Sequence, residues 1–110
     1  MSGTPSQAEV WVELLATSAG GRQCPADLST GIYRPHLRVG RGEMLGVKFV
    51  SGPSKPVAPG ETAKATALFL FESGVSYDDL AESATFEIVE GPRVVGHGRV
   101  VKVLRMADKS

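Results

Sequence analysis

The fold class that this sequence predicts is all-β, with the sheet closed into a barrel. Six segments alternate apolar and polar residues with the period of a strand. Turns bearing glycine or proline separate them. No segment sustains the period of a long helix. With 110 residues the chain is one domain with a modest core. A sheet this small gains from closure, because closure removes exposed strand edges.

Residues 1–8 are polar and small, and read as a disordered lead-in; 9–105 form the single barrel domain, and 106–110 a flexible tail. The first strand is Glu9 to Leu15, with Val10, Val12 and Leu14 on one face and Trp11, Glu13 and Leu15 on the other. Arg34–Val39 and Met44–Val50 form two short strands, joined by Gly40-Arg41-Gly42-Glu43. That joint reads as a hairpin turn, since glycine supplies the positive φ such turns need. Ser51 to Gly60 holds three prolines and two glycines and is a loop. Thr62 to Phe71 is the longest apolar strand; its alanines suit a helix, but Thr62, Thr66, Phe69 and Phe71 favour a strand. Glu72 to Ser83 is a polar connection with room for one helical turn. Thr85 to Glu90 alternates, with Phe86 and Ile88 opposed to Thr85, Glu87 and Val89. Arg93 to Leu104 closes the sheet, with Gly96 and Gly98 marking a bulge or sharp bend. This pattern predicts a core of Val10, Val12, Leu14, Leu68, Leu70, Phe86, Ile88, Val101 and Val103.

Twelve basic residues balance twelve acidic ones, so the chain lacks the basic excess of a dedicated nucleic-acid binder. A local basic face is still open to it. The single cysteine, Cys24, excludes an internal disulfide framework. The amino-terminal residues lack the apolar stretch of a signal peptide, and no apolar run reaches the roughly 18–20 residues that span a bilayer. The expected location is the cytoplasm, with no membrane partner.

Chemistry-bearing residues gather in two pairs of motifs: Gly20-Gly21-Arg22-Gln23-Cys24-Pro25 with Tyr33-Arg34-Pro35-His36, and Glu90-Gly91-Pro92-Arg93 with Val95-Gly96-His97-Gly98-Arg99. Arg22 either meets an external phosphate or carboxylate, or closes its own loop on backbone carbonyls. Arg34 either contacts a ligand or braces its loop against an aromatic ring. Arg38, Arg41, Arg93, Arg99 and Lys102 form a basic patch if neighbouring strands align them, and are otherwise solvated positions on the barrel exterior. His36 and His97 have no Asp, Glu or Cys partners at ligand spacing, so neither a metal nor a cofactor is expected. Cys24, in a loop beside Arg22 and Pro25, is either an activated thiol or a small loop residue. Asp78, Asp79 and Glu82 read as a solvated loop. Trp11 is either a barrel residue or, facing outward, the mark of an interface. No set of nucleophile, base and orienting group is visible, so the chain is expected not to be an enzyme.

In this order and spacing the motifs resemble the C-terminal β-barrel, the third domain, of elongation factor Tu. The likeness runs from about Glu9 to Leu104. It adds Ala58-Pro59-Gly60-Glu61 as the turn before the long central strand, Phe86 to Gly91 as the penultimate strand and its turn, and Val94 to Leu104 as the closing strand. It implies a six-stranded antiparallel, Greek-key-like barrel. It also implies two binding roles, one toward the GTPase domain that this barrel packs upon and one toward the T stem of aminoacyl-tRNA. The phosphate loop G-x-x-x-x-G-K-[S/T] is absent, so no nucleotide is expected to bind.

Carried over residue by residue, the contact set is Arg22, Gln23, Arg34, His36, Glu90, Gly91 and Arg93. The chain departs from the pattern at His36, where the family usually has Gln, at Pro92 in place of a second Gly, and at Leu45 in place of Thr. The expected function is a non-catalytic binding module that contacts tRNA, another structured RNA or a translation-factor surface. The alternative is a protein-interaction or oligomerising barrel without RNA binding.

Overall fold

The computed structural model describes residues 4–71 and 75–106. Its strands are β1 (Thr4–Leu14), β2 (His36–Arg38), β3 (Leu45–Ser51), β4 (Thr62–Phe69), β5 (Thr85–Glu90) and β6 (Arg93–Met106). They close into an antiparallel barrel in the order β1-β4-β3-β2-β5-β6. β2, β3 and β4 run as consecutive neighbours, and β5 returns to lie beside β2, which is the Greek-key connection. The only helical turn among the described residues is a 3-10 turn at Thr17–Ala19.

The element boundaries follow the alternation with a few shifts. β1 begins at Thr4 rather than Glu9, so residues 4–8 of the expected lead-in are strand, paired with β6 from Thr4 opposite Met106. Residues 1–3 and 107–110, the rest of the expected lead-in and tail, lie outside the described residues, as does the 72–74 part of the β4–β5 connection. β2 shortens to three residues because Pro35, which lacks an N–H, precedes it.

The core corrects the sequence expectation on two strands. On β4 the buried face is Ala63, Ala65, Ala67 and Phe69, whereas Leu68 is half-buried and Leu70 is exposed. Size explains the inversion. The inside of a six-stranded barrel is narrow, and β4 meets the Val10 and Val12 wall of β1 with small residues. Gly96 and Gly98 play the same part on β6: a Cβ on Gly98 would sit 2.4 Å from the Phe86 ring. Phe49, Phe69 and Phe86 fill the space that these small residues leave. On β6 the expected pair Val101 and Val103 gives way to Val100. Glu9 pairs with Lys102 and Val10 with Val100, so Val101 is the extra residue of a bulge and lies exposed. Val103 packs on the core only in part. A second bulge, between the Ile88–Gly96 and Val89–Val94 pairs, makes Val95 the extra residue of β6; Val95 packs in the core, and Val89 is buried outside the core cluster. Val10, Val12, Leu14, Phe86 and Ile88 are buried as expected.

One end of the barrel carries the 15–35 connection, the 52–61 loop and the Gly91-Pro92 turn, because β1, β3 and β5 finish there. The opposite end carries the β2–β3 turn and the β4–β5 connection, where Tyr77 donates from its hydroxyl to the Gly46 carbonyl at 2.7 Å.

Candidate functional site

The loop end is built by glycines whose roles differ. Gly20 adopts φ +94 to cap the 3-10 turn, its N–H donating to the Thr17 carbonyl. Gly21 follows at extremely close quarters: a Cβ there would lie 2.0 Å from the Leu15 carbonyl oxygen. Any side chain at Gly21 forces the backbone apart. Gly91 has φ +57 and precedes Pro92, whose ring fixes a negative φ; that pairing is the signature of a type II′ hairpin turn. The 52–61 loop joins the same end through paired backbone bonds between Ala26 and Val57, at 2.9 and 2.8 Å.

Three segments far apart in sequence are tied together here. The Arg22 guanidinium and the Tyr33 hydroxyl both donate to Glu90 Oε2. Arg22 also lies over the Tyr33 ring, 4.8 Å from its centroid. Its Nε donates to the Cys24 carbonyl at 3.0 Å and its Nη2 to the Pro25 carbonyl at 3.3 Å. All three guanidinium nitrogens are therefore engaged inside the protein. Burial works against the Arg22 charge, but the Glu90 hydrogen bond and charge outweigh it and hold the cation firmly protonated. Burial, and then the bond to Glu90, push the Tyr33 phenol well above the ordinary tyrosine range. Arg93 donates from Nη2 to the Gly20 and Gly21 carbonyls at 3.0 and 2.9 Å. Asp27 braces the next turn, accepting from the Ser29 N–H and hydroxyl and from the Thr30 hydroxyl; these bonds hold its carboxyl below the usual range.

The structure thus brings Arg22, Glu90, Gly91 and Arg93 to one region, with Tyr33 as the residue that joins them. Sequence reasoning offers Arg34 an aromatic ring without naming one; the Tyr33 ring is taken by Arg22. Gln23 and Cys24 are exposed on the same loop. Arg34 is exposed and makes one long bond, 3.4 Å, to the Gly31 carbonyl. Ile32 beside it is 74% exposed, the most exposed of the large apolar side chains described. His36 is half-buried within β2, opposite Val89 and Gly46.

The five basic residues weighed as a patch do not form one. Arg93 is at the loop end and Arg41 in the turn at the opposite end. Arg38 on β2 is ion-paired to Glu87 on β5, at 2.7 Å. Arg99 and Lys102 stand on the outer wall of β6, near Trp11, which faces outward and is 51% exposed. Among the described residues, no group of three or more His, Cys, Asp or Glu side chains is placed to hold a metal ion. No helix of the described residues is long and apolar enough to cross a membrane.

No known protein family and no curated protein matches this chain. The likeness to the third domain of elongation factor Tu accordingly rests on the residue pattern given above.

Proposed function

We propose that this chain is a non-catalytic binding module of the elongation factor Tu third-domain type, which docks a protein surface through its loop end. The supporting observation is the Arg22–Tyr33–Glu90 tie. It fixes three loops before any partner arrives, so little loop entropy is lost on binding. The tie also leaves Ile32 and Arg34 presented side by side, one apolar anchor and one cation with little internal engagement. A net charge of zero suits a protein partner better than a phosphate backbone.

Structured RNA is the second reading. It is favoured by Arg34 and by the exposed Gly91 turn, which matches the tRNA-facing turn of the resembled family. Affinity purification from the native cell, scored separately for RNA and for protein, tests the pair of readings. A protein that is retained by the wild type and lost with Ile32→Asp supports docking. Retention of RNA alone, released steeply between low and physiological salt and weakened by Arg34→Gln, moves the function to the RNA reading. A partner held equally by the wild type and by the Ile32→Asp, Arg34→Gln double variant removes the loop end from either function.

A further inference from the structure

Away from the loop end, the outer wall of the barrel carries a cleft. Register builds it. Trp11 on β1 faces Arg99 on β6, and Glu13 faces His97. On the other side of β6, Thr85 and Glu87 of β5 face Arg99 and His97 in turn. The cleft has a volume of about 620 Å³, within the roughly 300–1,000 Å³ typical of small-molecule sites. Its floor runs along the backbone of Gly98, whose missing side chain makes room for the Phe86 ring beneath it.

We propose that this cleft binds a small planar aromatic anion, a ring that carries a carboxylate or a phosphate. The indole of Trp11 is half exposed and, among the described residues, is in no ring pair and under no cation. An open indole face of this kind stacks a second ring. The Arg99 guanidinium has no hydrogen bond or ion pair among the described residues, unlike Arg22, Arg38 and Arg93. It is a planar fork of donors, suited to a carboxylate or phosphate in two-point contact. Charge sorts the ligand end for end. Glu87 is already bonded by Arg38 through Nε at 3.2 Å and Nη2 at 2.7 Å, which leaves Arg99 as the unpartnered guanidinium in the cleft. Glu13 stands across from His97 at the far side, where it accepts from a ring N–H or hydroxyl but repels the anion. A concave site with one aromatic face, one free cationic fork and, besides the ion-paired Glu87, one distal carboxylate selects against simple inorganic anions and against neutral rings.

The full chain carries a single tryptophan, so the Trp11 indole N–H is one resolved reporter. The test is a titration with naphthoate, naphthyl phosphate, neutral naphthalenemethanol, acetate and inorganic phosphate. It is followed by calorimetry and by proton–nitrogen chemical shifts. Saturable binding of either aromatic anion is expected, with the shifts centred on Trp11 and Arg99. The neutral ring and the two non-aromatic anions should bind at least about ten-fold more weakly. Preference between naphthoate and naphthyl phosphate identifies which anion the site takes. Arg99→Gln and Trp11→Leu should each lose about ten-fold in affinity while keeping the wild-type thermal transition. Absence of saturation, equal binding of the neutral ring, or unchanged affinity in Arg99→Gln overturns the proposal. So do shifts confined to Ile32 and Arg34. Loss of partner capture in Ile32→Asp reads out at the other site and leaves this one standing.

Discussion

Two regions of this barrel use arginine in opposite ways. At the loop end Arg22 directs every guanidinium nitrogen at its own protein, and Arg93 turns its Nη2 on the carbonyls of Gly20 and Gly21. On the outer wall Arg99 stands opposite Trp11 with no internal partner among the described residues. Arg22 and Arg93 are taken up by loop carbonyls and Glu90, whereas Arg99, on the outer face of β6, is not. The reason is geometric. A loop has backbone carbonyls that no ladder satisfies, and a nearby guanidinium is the strongest donor available to them. Within a strand those carbonyls already serve the sheet, so an outward arginine finds only solvent or a chance cross-strand carboxylate. Conspicuous arginines in glycine loops are thus as much a sign of loop architecture as of a ligand.

The largest expected effect concerns what both regions rest on. Phe86 is buried against Gly98, under the cleft floor, and its strand leads directly into Glu90. Phe86→Ala should cost about 3–5 kcal/mol in chemical denaturation. It should also shift backbone resonances at both regions. A loss confined to the outer wall would show that the loop end holds itself together without the strand beneath it.

Next in size is the tie itself. Glu90→Ala removes the acceptor for both Arg22 and the Tyr33 hydroxyl and leaves two donors in a partly buried place. The expected cost is about 1–3 kcal/mol. Amide hydrogen exchange should accelerate in the Gly20–Pro25 loop first. A neutral outcome would mean that the ion pair offsets its own desolvation and nothing more.

A pH scan separates the regions in another way. The Tyr33 phenol is held above the ordinary range in the folded state, mainly by burial. The unfolded chain releases that proton from about pH 10, and the folded barrel keeps it. The folded state then binds more protons than the unfolded one, so stability falls as pH rises above about 10 and is complete below it. The slope from this one group is at most about 1.4 kcal/mol per pH unit. Tyr33→Phe should flatten the alkaline limb relative to the wild type. An equal slope in both proteins would assign the limb to other groups.

Much of the barrel is legible in the residue pattern, and the places where it is not have specific causes. Thr85–Glu90 alternates so plainly that its bounds are readable to the residue. β4 misleads because three of its four buried residues are alanines; hydrophobicity ranks Leu68 and the following Leu70 inside, and only the narrowness of the closed barrel reverses them. Val101 misleads because a bulge shifts the phase of β6 by one residue, and nothing local announces it. At the loop end, the meeting of Gly20–Pro25 with Glu90–Arg93 is readable only through the family likeness. The bonds that join them span 68 residues from Arg22 to Glu90 and 57 from Tyr33 to Glu90, beyond any local rule. The cleft is less legible still. Trp11 and Arg99 belong to no motif together, and become neighbours only once the β1–β6 register is known.

The smallest expected effect is the most discriminating for the contrast between the regions. Arg99 is exposed and has no internal partner among the described residues, so Arg99→Gln removes no bond from the folded state. Glutamine keeps the length of the stem that covers the strand and discards the charge. The change in stability should stay within about 0.5 kcal/mol, as for other surface substitutions that touch no cap, core or network. Arg22→Gln, the same chemical change at the loop end, breaks the bonds to Glu90 and to the Cys24 and Pro25 carbonyls and uncovers the Tyr33 ring. It should cost at least about 1 kcal/mol. Denaturant midpoints of the two variants, measured side by side at neutral pH, decide the matter. If Arg99→Gln is the more damaging of the two, the outer-wall arginine holds the barrel together. In that case the free guanidinium on which the cleft depends is not free.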